Sequence, residues 1–454
     1  MKAKKWDEGM AGSGILYNEE ASQQRSEIPP GPEEKTQEEF RLIGGMTPRI
    51  DGNEIVTGKA KFTHDIRLRG MLHGKILRSP HARAEIEAVD LSAARSLPGV
   101  KAAIRLAEKS IRYAGEEVAA VAAVEEKTAE KALGLIRVSY RPLPHAVTEE
   151  RAREEDAPRV FEDQPNLRSF NTYERGDVDA GFREADAVIE RTYRTAVEIH
   201  QTAETHVSIA AWDEDRLTVW DSTQAVHSVR DQLARALQVP ASRIRVIKTY
   251  MGGGFGSKLG LNVHTLAAAL LAREARRPVK IMLTRQENSV CVGNRPSTIQ
   301  TLKGGVTRDG RLTALTMKNL TCGGLRRGDR CSEPLIDLHR CPNVRVEEIS
   351  IATHTGPARP TRAPGQVQGT FALEGFLDEL AAEIGMDPLE LRRRNYSTKN
   401  RGDTGVPYST KGLDRCYELG AEAIGWERRN MPPGAGIGRF RRGIGMASQI
   451  WWGA

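Results

Sequence analysis

The spacing of apolar residues changes several times along the chain, and each change marks an element. In "EVAAVAAV", residues 117–124, only the first position is polar, which predicts a strand buried on both faces. "KTAEKALGL" then predicts a short helix with Thr128 as its N-cap, and "IRVSY" a second strand. Together they read as a small α+β domain over residues 46–150. Residues 1–45 are rich in Glu, Gln, Ser and Pro and read as a disordered arm. The prolines and charges of 151–167 read as a linker.

From 168 onward strands and helices alternate. "RLTVWDS" has strand propensity, and "VHSVRDQLARALQV" places Val226, Val229, Leu233 and Leu237 at helical spacing. "RIRVIKTY" is a further strand that leads into the glycine-rich "TYMGGGFGSKLG" at 249–260. "HTLAAALLAREARR" is helical, and "PVKIMLT" turns Val279, Ile281 and Leu283 to one face. "FALEGFLDELAAEIG" reads as an amphipathic helix ended by Gly385. In "DPLELRRRN" Asp387 can cap, Pro388 suits the first turn and Glu390 completes a capping box. The class is mixed α/β, without internal repeats.

Composition narrows the function. A chain of 454 residues, 39% hydrophobic and 28% charged, reads as a globular protein of two to four domains. Its longest apolar helical stretch, "LAAALLA", is far short of the roughly 20 residues that cross a membrane. The N-terminus shows no export signal, so a cytoplasmic location is expected. The net charge of +7 comes from scattered arginine pairs and the triplet Arg392–Arg394, and only 5% of residues are aromatic. No stretch interleaves rings with basic residues, which argues against nucleic acid. Five cysteines without a CxxC pair fit neither a disulfide framework nor a zinc or iron–sulfur site, and no HExxH occurs. If the protein uses a metal, its own side chains are not expected to hold it.

The glycine loop fails two phosphate-binding tests. Lys258 follows Ser257 and precedes Leu259, which breaks the P-loop pattern; GxGxxG fails from Gly252 and from Gly254 alike. Bare main chain ahead of a helix still suits an anionic or polar ligand. It equally suits a turn packed tightly on a neighbour. Phe255 could line a planar substrate's slot or belong to a core.

"GGGFGSK" at 252–258 resembles the loop of the molybdenum hydroxylase large subunits, the xanthine dehydrogenase and aldehyde oxidase family. Three further stretches resemble that family in the same order. "RIDGNEIVTGKAKFTHDI" with "GMLHGKILRSPHARAEI" is similar to its N-terminal hammerhead-like domain, and "STQAVH" at 222–227 to its glutamine-bearing strand end. "RPTRAPGQVQGTFALEGFLDELAAEIGMDPLELRRRN" at 359–395 is similar to its arginine loop and following helices. The resemblance implies a hammerhead domain at 46–150, a first molybdopterin-binding domain at 168–400 and the start of a truncated second one at 401–454.

The resemblance also implies chemistry. A molybdenum ion would be held by a pterin cofactor, often the cytosine dinucleotide form in bacteria, and an aldehyde or N-heterocycle would be oxidised with water as the oxygen source. Electrons would leave through iron–sulfur clusters and FAD. The cysteine census puts those groups on partner chains, an iron–sulfur subunit and a flavin subunit, in a complex that can dimerise. Gln224 matches the glutamine that hydrogen-bonds the metal centre; its plainer role is to cap the helix near Ala225. Gly253, Gly254, Phe255 and Gly256 match the loop that approaches metal and pterin. Arg362 matches the loop arginine, against the plain alternative of a surface ion pair, with Ala363 and Gly365 continuing the turn. Most of Arg392–Arg394 reads as a solvated helix face, with one guanidinium available to a cofactor phosphate.

Three departures matter. Purine oxidisers carry a glutamate where Leu259 stands, and copper-using carbon monoxide dehydrogenases a cysteine where Ala363 stands, so neither substrate is expected. The family's catalytic glutamate belongs to a later glycine-rich stretch, whereas this sequence ends at "GIGMASQIWWGA" with strand-like residues. A truncated product, a piece of a split subunit and a non-catalytic assembly module are the alternatives. Alone, the chain is expected not to turn over. A pterin- or nucleotide-binding protein outside redox chemistry is the remaining reading.

Overall fold

The apolar stretch at 117–124 is an interior strand, and its burial on both faces follows from two helical layers. The computed structural model describes residues 46–430, 438–440 and 443–451, so the arm expected at 1–45 lies outside it. The chain divides into Met1–Ala60 and Lys61–Ala454. Within the first unit the described residues carry helix α1 (Gly52–Val56), preceded by an Arg49–Asp51 ion pair.

In the second unit the strands are β1 (Leu72–Arg78), β2 (Ala84–Asp90), β3 (Val100–Arg105), β4 (Ser110–Ile111), β5 (Glu117–Ala123) and β6 (Arg137–Pro142). They continue as β7 (Leu167–Arg175), β8 (Ala187–Thr195), β9 (Val207–Asp213), β10 (Arg216–Asp221) and β11 (Ile244–Ile247). The last four are β12 (Val279–Met282), β13 (Ser297–Val306), β14 (Leu312–Gly324) and β15 (Asn343–Ala352). One sheet has seven strands in the order β11-β10-β9-β12-β1-β5-β3, a second has β7-β15-β14-β13-β8, and a third β4-β2-β6.

The seven-stranded sheet joins the segments on either side of residue 150. β1 runs parallel to β12, with Leu72 opposite Val279 and Gly74 opposite Ile281. A side chain at Gly74 would collide with Ile281, so the glycine permits the pairing. Helix α2 (Glu126–Leu135) sets Ala129 and Ala132 against Ala119, Val121 and Ala123 of β5. Helices α3 (Val226–Leu237) and α4 (Val263–Ala275) share the core with Ala120 and Ala122 on the other face. Alanine keeps both layers close. α2 starts at Glu126, so Thr128 lies inside it rather than capping it.

The stretch expected as a linker is folded. A helix over Glu149–Arg153 is capped by Thr148, whose hydroxyl accepts from the Arg151 amide at 3.2 Å. Asn166 is buried, donating to the carbonyls of Ala152 and Pro158 and accepting from the Val160 amide. Its polar residues close turns on one another, which composition alone does not distinguish from solvation.

Helix α5 (Gln366–Glu383) covers the five-stranded sheet and begins five residues before the expected run. It is buried on most sides, polar residues included, and so departs from the amphipathic expectation. Glu374 explains how. It accepts from His339 at 3.0 Å, from Arg392 Nε at 2.9 Å and from the Ser448 amide at 2.7 Å. Arg392 lies on helix α6 (Pro388–Arg394), is 1% exposed and also pairs with Asp378 at 2.8 Å. It is neither solvated nor free for a phosphate; only Arg393 and Arg394 face solvent. Asp387 caps α6 as expected, but Glu390 pairs with Arg394 instead of closing a capping box. Helix α7 (Leu413–Ile424) buries Tyr417, which meets Ser448 in the same cluster, and residues 443–451 form no strand. The five cysteines are free, and no helix among the described residues is long and apolar enough to cross a membrane.

Candidate functional site

β10 delivers Gln224 to the start of α3, and Gln224 does not cap that helix. Ala225 is the N-cap, and its amide is served by the Thr223 hydroxyl at 3.1 Å. Gln224 instead turns to the glycine loop. Its amide donates to the Lys258 carbonyl and its Oε1 accepts from the Gly256 amide, both at 2.8 Å. With Oε1 so fixed, Nε2 points its two hydrogens elsewhere, and it makes no hydrogen bond to the described residues.

The loop lies between β11 and α4, with positive φ at Gly253 (92°), Phe255 (50°) and Gly256 (109°). A Cβ at Gly254 would overlap Gln224, and one at Gly256 would overlap the Pro360 carbonyl. These glycines therefore serve close packing within the chain itself, the plainer of the two readings left open by the sequence. Gly253 has more room, its nearest neighbour being the Phe255 ring at 3.3 Å. That ring is 44% exposed, so it belongs to a surface rather than the core.

The arginine turn closes the arrangement. The Arg362 amide donates to the Phe255 carbonyl at 2.8 Å, Ala363 adopts φ 59° and Gly365 φ 75°. Gly365 passes so close to the Arg330 carbonyl that no side chain fits. Arg362 is exposed and has no ion-pair partner among the described residues, which removes the surface ion-pair alternative. Gln224, the loop and the turn thus meet on one open face. Two surface cavities of about 450 and 570 Å³ lie elsewhere, bordered by Glu149, Ser297 and Cys322 in one and Arg311, Arg340 and Arg394 in the other.

Behind this face lies a buried polar layer that the sequence did not reveal. Lys258, fully buried, donates to the Glu204 carbonyl at 2.9 Å and lies 3.4 Å from its carboxylate, which in turn accepts from the Gly252 amide. Burial lowers the lysine's pKa, and Glu204 only partly offsets this. His206 bonds Asn288 at 2.7 Å, and burial drives its pKa down to about 3, so it stays neutral. His200 reaches the Pro360 carbonyl at 2.8 Å, and Arg295 the Arg362 carbonyl at 2.8 Å. Apart from the His206–Asn288 bond and the Lys258–Glu204 ion pair these contacts end on main chain, and all span long sequence separations, where no local pattern betrays them.

Asp221, at the end of β10, is buried beside Ser208 and Thr265, and burial pushes its carboxyl up to about 6. The folded state therefore binds this proton more tightly than the unfolded one. Its contribution to stability is complete below about pH 4 and lost as the pH rises to about 6. Asp221→Asn is expected to flatten that slope, worth about 2–3 kcal/mol. Urea unfolding at pH 4.5 and 7 measures it; an unchanged slope would remove Asp221 as its source.

Gly256→Ala is expected to cost about 2 kcal/mol, from the positive φ and the displaced Pro360 carbonyl. Gly253→Ala should cost less for want of the second term. Chemical unfolding of both variants decides, and equal losses would mean that contact with the turn is immaterial.

A hammerhead-like segment sharing a sheet with a larger α/β body, with three loops locked at one face, is matched by known proteins. Residues 160–396 match the molybdopterin cofactor-binding domain family, and 57–106 and 102–144 the a/b hammerhead domain of aldehyde oxidase and xanthine dehydrogenase. The chain belongs to this aldehyde oxidase and xanthine dehydrogenase family of molybdopterin-binding proteins. It is 38% identical to a probable xanthine dehydrogenase subunit of Bacillus subtilis over 76% of this chain and 50% of that protein. It is 32% identical to the nicotinate dehydrogenase large molybdopterin subunit of Eubacterium barkeri over 86% of this chain and 99% of that one. The quinoline 2-oxidoreductase of Pseudomonas putida 86 superposes with a TM-score of 0.78 at 26% identity, over 84% of this chain and 54% of its own. Against most of its curated relatives the chain thus spans about half their length.

Proposed function

We propose that this chain is the molybdopterin-binding part of a molybdenum hydroxylase complex that oxidises an aldehyde or an N-heterocycle. The observation that carries the reading is the Gln224 amide, whose oxygen is held by the Gly256 N–H while its nitrogen is left to donate. Around it lie bare main chain, an exposed ring and an unpaired guanidinium. Among the described residues no group of three or more His, Cys, Asp or Glu side chains could hold a metal ion. The donors present, one amide nitrogen, bare main chain and a guanidinium, fit a group that arrives with its own metal ligands.

When bound, a molybdenum–pterin group, in its cytosine dinucleotide form on this reading, would supply two-electron redox chemistry with water as the oxygen source. Gln224 Nε2 donates a neutral hydrogen bond toward it, adding no charge. The loop main chain at 253–256 and the turn at Ala363 and Gly365 approach it as bare backbone. Phe255 offers an apolar wall to the substrate, and Arg362 a fixed cation for negative charge developing on substrate oxygen. Leu259 offers no carboxylate to a purine, which favours substrates other than xanthine, although one relative is named a probable xanthine dehydrogenase.

On this reading residues 46–150 are the hammerhead domain, 168–400 the first molybdopterin-binding domain and 401–454 the start of a second. Electrons pass to iron–sulfur clusters and FAD on partner chains in the cytoplasm. Co-expression with iron–sulfur and flavin chains tests the proposal, through molybdenum content and dye reduction with a panel of aldehydes and heterocycles. A complex that forms without molybdenum would leave the assembly-module reading in its place.

A further inference from the structure

We infer that Arg295 is the positioning residue of the arginine turn, holding the main chain of Arg362 so that its guanidinium alone is free to meet a ligand. The inference rests on the proposal that Arg362 faces the ligand. Arg295 is 5% exposed and follows Asn294, whose carbonyl already receives the Arg359 amide at 2.9 Å. Its Nη2 donates to the Arg362 carbonyl at 2.8 Å, and its Nη1 to Gln368 Oε1 at 3.1 Å and the Ala363 carbonyl at 3.4 Å. Its Nε lies 3.0 Å from the Glu198 carboxylate. Glu198 and Arg295 also exchange main-chain hydrogen bonds at 2.8 and 3.2 Å, so the base of the side chain is anchored too.

Both main-chain groups of Arg362 are thereby taken, the amide by the glycine loop and the carbonyl by Arg295. Ala363 sits at φ 59°, a conformation that alanine keeps only where its surroundings impose it. A planar guanidinium can span two successive carbonyls and a glutamine at once; an ammonium cannot. Gln368 is steered in turn by its own donation to the Pro296 carbonyl, one residue beyond Arg295.

The test is a double-mutant cycle of Arg295→Lys and Arg362→Met in the full chain, co-expressed with its iron–sulfur and flavin partners and with the second molybdopterin-binding half that carries the family's catalytic glutamate. The readouts are molybdenum per chain, and kcat and KM in dye-coupled oxidation. Arg362→Met is expected to lower kcat/KM about 30-fold and Arg295→Lys about tenfold, chiefly through kcat. Because Arg295 acts through Arg362, the double variant should be no worse than Arg362→Met alone, in turnover and in molybdenum content. Independent losses that multiply to about 300-fold overturn the inference and leave the reading of Arg362 standing. An Arg362→Met variant with parental turnover and molybdenum overturns that reading, and the inference with it. If Arg295→Lys shows no cooperative melt, Gln368→Leu takes its place. It should cost about threefold, masked in the same way by Arg362→Met, and a loss that multiplies overturns the inference as before.

Discussion

Gln224→Glu is expected to lower turnover of the assembled complex by about 100- to 1000-fold while leaving its melting temperature nearly unchanged. The two halves of the Gln224 amide do different work. Oε1 accepts from the Gly256 amide at 2.8 Å, and a carboxylate keeps that bond. Nε2 is the donor left for a ligand, and the carboxylate replaces it with an acceptor bearing negative charge. The substitution therefore separates holding the loop from donating toward the cofactor. Gln224→Met removes both and should also loosen the loop. Steady-state dye reduction beside thermal melting makes the comparison. A glutamate variant within threefold of the parent would show that the amide nitrogen donates nothing that matters.

Arg392→Met should destabilise the protein by about 3–5 kcal/mol, because it strands a buried carboxylate. Glu374 and Arg392 face each other at 2.9 Å, with side chains 3% and 0% exposed. Burial works to raise the Glu374 carboxyl, but His339 and Arg392 outweigh it and hold the group below its usual range. A lowered carboxyl contributes stability above its unfolded pKa and loses it as the pH falls through the folded value. The penalty of the substitution should accordingly be greatest near pH 7 and shrink toward pH 4, where protonation removes the stranded charge. Urea unfolding across that range measures it. A loss under about 1 kcal/mol at pH 7 would match a solvated arginine and contradict the buried triad.

These two sites differ in how far they were legible beforehand. Gln224, the glycines and Arg362 were picked out by resemblance, and folding brings them within hydrogen-bond contact of one another. Why the glycines must be glycines was not legible. That reason lies in Pro360 and Gln224, distant in sequence, occupying the space where a Cβ would stand. Most of the arginine run faces solvent as expected. Which of the three is buried was not legible, because consecutive arginines at a helix end look alike in sequence, whereas helix geometry turns the first one inward onto Glu374. Arg295 offered no signal at all, since a lone arginine before a proline is ordinary.

Period and side-chain character were enough to foretell the strand at 117–123, helices α3 and α4, the Asp387 cap and the mixed class, because these depend on neighbours a few residues away. Three things came only with the folded chain. One sheet runs across residue 150, the stretch at 151–167 closes on itself, and Glu204, Lys258, His200 and Arg295 stand behind the loops that form the open face. Each depends on which distant groups share a buried space, and the cost of burying a charge or an unpaired carbonyl selects those partners without leaving a trace in local spacing.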